Sequence, residues 1–98
     1  MAELRFEWDE KKNRGNQRDH KISFEEAETA FEDEDGLLAA DPDHSEDEDR
    51  FILLGLSARL RLLVVCHTYR EKDETIRLIS ARKADRSERA QYSRRWKR

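Results

Sequence analysis

Lys12, Asn16 and His20 recur at intervals of four in a stretch, residues 10–21, that contains no apolar side chain. On a helix such spacing puts all three on one face. A cation, an amide and a group titrating near pH 6.5 can together bind a phosphate and move a proton. The same pattern equally describes a solvated helix face with no chemistry. A second set lies near the other end, in Thr75-Ile76-Arg77-Leu78-Ile79-Ser80-Ala81-Arg82. Strict alternation along a strand predicts Arg77 on one face with Ile79 and Ala81, and Arg82 on the other with Ile76, Leu78 and Ser80. Either guanidinium can fork onto phosphate oxygens, or onto a carboxylate of the acidic segment such as Glu46 or Glu48.

His67 closes the apolar run Leu62-Leu63-Val64-Val65-Cys66. A histidine there is either structural or, if it points toward Arg61, a second base. Cys66 and His67 do not form a thiol–imidazole pair, because adjacent strand residues face opposite ways. His44 stands near Asp41, Asp43 and Glu46 without a fixed metal-ligand spacing, and no metal or cofactor is expected. There is no glycine-rich phosphate loop and no Cys/His zinc pattern. The tail brings together Arg86, Arg89, Arg94, Arg95, Lys97 and Arg98 with Tyr92 and Trp96. Cations there would neutralise phosphates and rings would stack on bases. Tyr92 is also spaced to anchor a helix on the sheet, leaving Trp96 as the exposed ring.

The elements that must hold these residues can be read from pattern. Leu4 to Trp8 alternates as a short strand does, and Asp9 is a helix N-cap. The helix that follows, to about His20, is weakened by Gly15 and has only Trp8 and Ile22 to pin its ends. Ser23-Phe24-Glu25-Glu26 has capping-box spacing, and Phe24, Ala27 and Phe31 form a core-facing stripe behind it. After turn signals at Gly36 and Asp41-Pro42-Asp43, Leu37 to Ala40 forms a short strand. Strands over residues 50–57, 59–69 and 74–82 follow, the first two joined as a hairpin. Asp85 and Glu88 repeat the capping-box spacing before a basic C-terminal helix. Helices and strands kept apart in this way predict an α+β fold, with a curved antiparallel sheet of about four strands, N-terminal helices and a C-terminal helix.

The chain of 98 residues holds one apolar core, so residues 1–98 are expected to be a single domain. Charged residues make up 44% and apolar residues only 36%. Such a core is marginal, and a bound partner would add useful burial. No apolar run approaches 18 residues, the first residues are no secretory signal, and Cys66 is the one cysteine. Those features predict a cytoplasmic protein without a membrane span. Net charge is −3, unevenly spread: residues 31–49 carry ten acidic and no basic groups, residues 50–98 fourteen basic and five acidic. One half suits a polyanion and the other a basic partner, unless the two simply neutralise each other.

Taken together, several of these segments resemble the BrnT toxin family. The similarity lies in Phe6-Glu7-Trp8-Asp9 with Lys12, Asn16 and His20; in Ser23-Phe24-Glu25-Glu26-Ala27 and Phe31; and in Asp49-Arg50 leading to Gly55-Leu56-Ser57. It continues through Ile76-Arg77-Leu78-Ile79-Ser80-Ala81-Arg82 with Ala84, Glu88, Arg89 and Tyr92. The resemblance implies a RelE-like fold and metal-independent RNA cleavage that halts translation. It also implies a BrnA-type ribbon-helix-helix antitoxin, with promoter DNA bound only through the complex. On this reading His20, then His67, transfers protons. Lys12, Arg77 and Arg82 hold the phosphate, with Asn16, Arg61 and Arg89 binding substrate, in one pocket between the first helix and the closing strand. The acidic run departs from the family pattern. The rival expectation is a non-catalytic nucleic-acid-binding or partner-docking domain within a repressor complex.

Overall fold

A computed structural model describes residues 4–41, 49–70 and 74–94. The first strand, β1 (Arg5–Glu7), leads into α1 (Glu10–His20). Asp9 sits in extended backbone and its carboxylate accepts the Lys11 N–H at 2.9 Å, supplying the cap that the sequence promised. With no apolar stripe, α1 is held by amides instead. Asn13, fully buried, accepts the Phe24 N–H at 2.9 Å and donates to the carboxylates of Glu10 and Glu25. Lys21 ends the helix in the left-handed region (φ 63°), with its N–H on the Gln17 carbonyl.

Ser23 caps α2 (Phe24–Thr29) by accepting the Glu26 N–H at 3.0 Å. Only half of the expected capping box forms, because the Glu26 carboxylate bonds Ser57 and Arg61 across the molecule. A 3₁₀ turn (Ala30–Glu32) follows and carries Phe31 to the rim of the core beside Phe24 and Ala27. Then come β2 (Leu37–Ala40), β3 (Arg50–Leu56), β4 (Leu62–Arg70), β5 (Thr75–Lys83) and α3 (Arg86–Arg94). At the start of α3 the full box is present: Asp85 accepts the Glu88 N–H, and Glu88 accepts the Asp85 N–H, both at 2.8 Å.

The fold is α+β, but among the described residues the sheet has five strands in the order β1-β5-β4-β3-β2, and it is mixed. The expectation of about four antiparallel strands is corrected by β1, which joins β5 in parallel, Arg5 opposite Thr75 and Glu7 opposite Arg77. Three residues carry no local sign of whom they pair with seventy positions later; that choice belongs to the tertiary fold.

Both faces of this one sheet are used. On one, Ile22, Phe24, Ala27 and Ala30 pack on Leu53, Leu63, Val65, Ile76, Leu78 and Ala81. Gly55 lets β3 come close beneath the 3₁₀ turn, since a Cβ there would stand 2.9 Å from the Ala30 carbonyl oxygen. On the other face, Ala84 and Tyr92 cover Leu54, Leu62 and Val64, and the Tyr92 hydroxyl donates to Asp33 at 2.6 Å. This fits the docking role expected of Tyr92. Burying apolar side chains on two sides is how a chain poor in them still closes a core. Among the described residues no helix is long and apolar enough to cross a membrane.

Candidate functional site

The pairing of β4 with β5 slips by one residue: Cys66 faces Ser80 while His67 faces Leu78, leaving Ile79 extra. This β-bulge reverses the alternation beyond it. Ile76, Leu78 and Ala81 therefore share the face covered by α1 and α2, and Arg77 and Arg82 share the opposite one. The expectation that the two arginines face opposite ways is overturned, because alternation holds only along an unbroken strand.

Cross-strand register then assembles the face away from α1 and α2. Arg50, Thr68, Arg77 and Glu7 lie in one row across β3, β4, β5 and β1. Ile52, Cys66 and Ser80 form the next row, and Leu54, Val64 and Arg82 the one after, at the margin of α3. Between Arg50 and Arg82 runs a groove of about 250 Å³, floored by Ile52, Val64, Cys66 and Ser80, with Asp41 at its rim. The Cys66 sulfur stands 3.9 Å from Oδ2 of Asp41.

The arginines are positioned by carboxylates from neighbouring elements. Nη1 of Arg77 donates to Glu7 Oε2 at 2.7 Å, and Arg70 approaches the same oxygen at 3.7 Å. Arg82 forks onto Glu88 with two bonds of 2.8 Å. That fork holds the Glu88 carboxyl below its ordinary range and keeps the Arg82 guanidinium more firmly protonated. Both side chains stay reachable, Arg77 33% and Arg82 43% exposed. Arg82 meets its carboxylate as a fork and Arg77 meets its own through one bond, and guanidinium groups that bind carboxylates this way also bind phosphate oxygens. The salt bridges expected toward Glu46 or Glu48 concern positions outside the described residues; the partners seen are Glu7 and Glu88.

The other candidates are dispersed. Lys12 and His20 are exposed on α1, across the sheet from the arginines. Asn16 is 7% exposed and fully engaged: it accepts the Ala81 N–H at 3.1 Å and donates to the carbonyls of Ala81 and Ile22 at 2.8 and 2.7 Å. His67 is completely buried against Phe31, Phe51 and Tyr69, with Nδ1 on the Val65 carbonyl at 3.0 Å. Burial pushes its pKa down, so the ring stays neutral. Arg61 binds the carboxylate of Glu26, which also accepts from Ser57 at 2.7 Å; its guanidinium holds Glu26 well ionised. Arg89 borders a separate hollow of about 220 Å³ with Arg61 and Lys83. The single pocket expected between the first helix and the closing strand is not what the fold builds. A helix without apolar residues spends its inward-facing amides on attachment, and its attachment is to the far side of β5. His44, Arg95, Trp96, Lys97 and Arg98 lie outside the described residues.

Sequence reading missed Arg50, Arg70 and Glu7. Each is unremarkable in its own segment, and only the register of four strands makes them neighbours. Arg50, first residue of an apolar strand, carried the one usable hint.

Fold and site define a small α+β domain with one arginine-bearing sheet face. The family described as "Ribonuclease toxin, BrnT, of type II toxin-antitoxin system" matches residues 8–88, and the chain belongs to this BrnT family of ribonuclease toxins. The crystal structure of the Brucella abortus ribonuclease toxin BrnT, at 1.1 Å, shares the fold. Its TM-score is 0.62 at 22% identity, over 86% of this chain and 100% of that one. No curated protein matches the sequence.

Proposed function

We propose that this chain cuts RNA laid across the open face of the sheet, and that a BrnA-type ribbon-helix-helix antitoxin silences it. The carrying observation is the shared orientation of Arg77 and Arg82 on the face opposite α1 and α2, beside Arg50. The reading includes a RelE-like architecture, action in the cytoplasm and arrest of translation, with promoter DNA bound only through the antitoxin.

The chemistry is internal transfer without a metal. The ribose 2′-oxygen bonds to the adjacent phosphorus, and the bond from phosphorus to the 5′-oxygen breaks. The 2′ proton passes to a base, and an acid returns a proton to the leaving oxygen, giving a cyclic phosphate and a free 5′-hydroxyl. Arg77 and Arg82 hold the phosphate and steady the charge that grows on it. Asn16 shapes the bend of β5 from behind instead of touching RNA, and Arg61 and Arg89 meet the flanking strand. Proton transfer assigned to His20 or His67 is the part the geometry supports least, because neither ring lies on this face.

Purified protein, incubated with a labelled oligoribonucleotide and a chelator, should yield fragments ending in cyclic phosphate. RNA that is retarded on a gel but stays whole would replace this reading with a non-catalytic binding domain. Production of the chain alone should arrest growth, and co-production with the antitoxin should restore it.

A further inference from the structure

The outer edge of β2 is an apolar strand among acids. Its residues are Leu37-Leu38-Ala39-Ala40, Leu38 is 56% exposed, and among the described residues no strand lies beyond it in the sheet. Asp41 donates its N–H to the Arg50 carbonyl at 2.8 Å, which fixes the phase of the β2–β3 ladder. Leu37, Ala39 and Asp41 turn their peptide groups inward to β3, and Leu38 and Ala40 turn theirs to the open edge. A groove flanks the strand on each face. One, of about 530 Å³, is lined by Leu38, Phe51 and Tyr69; the other, of about 500 Å³, by Leu37, Ala39 and Ile52 among others. Natural edges are usually blunted by lysine, proline or a bulge, and β2 carries none of these within its span.

We propose that this edge is the antitoxin's docking site. An extended antitoxin segment adds as a sixth strand, its apolar side chains alternating between the two grooves and its flanking lysines or arginines meeting the acids around β2. The charge argument selects this occupant. The described acids that flank β2 in the chain, Glu32 to Asp35 before it and Asp41 and Asp49 after it, favour a basic partner over RNA, and a second copy pairing through the same edge would oppose acid to acid. The inference rests on the antitoxin reading above and adds where the antitoxin sits, on the edge strand that borders the arginine groove.

Amide hydrogen exchange decides it, using the toxin alone, with RNA, and with the full-length antitoxin. In the antitoxin complex the Leu38 and Ala40 amides should slow by about tenfold or more, and RNA should leave them unchanged. Ala40→Pro removes a donor that the toxin's own ladder does not use, so the sheet persists. Its affinity for antitoxin should fall about tenfold or more, and added salt should weaken the wild-type complex. If antitoxin binds but those amides stay fast and the proline variant binds as well as wild type, the docking site is overturned and the antitoxin reading stands. Protection of the same amides by RNA, or by raising the toxin concentration alone, overturns it too. Failure of wild-type toxin to bind antitoxin at all removes both.

Discussion

The side-chain amide of Asn16 bonds both the N–H and the C=O of Ala81, at 3.1 and 2.8 Å, as a neighbouring strand would. β1 pairs with β5 only as far as Arg77, so the edge beyond it is open, and α1 closes it there with one side chain. The same amide also reaches the Ile22 carbonyl. Asn16→Ala leaves three buried backbone groups without that partner and should lower stability by about 3 kcal/mol. Denaturant unfolding checks this, and a change below about 1 kcal/mol would show that water substitutes fully.

Arg77→Ala and Arg82→Ala separate the site from the fold. Both pairs are partly exposed, so either loss should cost little stability. RNA cleavage should fall roughly 10²-fold in each. Lysine at either position should restore only part, since the fork is lost with the guanidinium. Cleavage near wild type in both variants would remove the open face from catalysis.

His20→Ala is decided by the same assay. A fall of about 10²-fold supports His20 as acid or base. An unchanged rate, the outcome expected from its place across the sheet from Arg77 and Arg82, removes His20 from the proton transfers.

His67 makes stability depend on pH near neutrality. Burial lowers its pKa from 6.5, so below pH 6.5 the unfolded chain binds a proton that the folded chain refuses. Stability should therefore drop as pH falls from about 6.5 toward the lowered folded value. In His67→Phe that part of the slope should vanish, as unfolding midpoints at pH 7 and pH 5.5 will read. Glu26 acts at lower pH. Its hydrogen bond from Arg61 lowers its pKa below 4.5, so its contribution is present above 4.5 and is lost as pH falls through the folded value. Glu26→Gln should flatten the melting-temperature profile below pH 4.5.

Leu60 is 79% exposed in the hairpin between β3 and β4 and holds φ at 63°. A leucine there buries nothing and strains its backbone, so Leu60→Gly should raise stability by up to about 1 kcal/mol. A loss of stability would mean that glycine's freedom in the unfolded chain outweighs the relief.

What the sequence settled on its own was local. Asp9, Ser23 and Asp85 each cap the helix that begins beside them, because a cap acts over three residues. Alternation found β1, charge marked a basic half, and the spaced motifs found the family. What only the tertiary structure decided was which distant groups meet. The parallel seat of β1 brings Glu7 to Arg77, one extra residue at Ile79 turns Arg82 to the same side, and Asn16 turns inward to bolt a helix that has nothing apolar to bury. Register and bulges are settled by the whole sheet at once, so no window of the chain contains them.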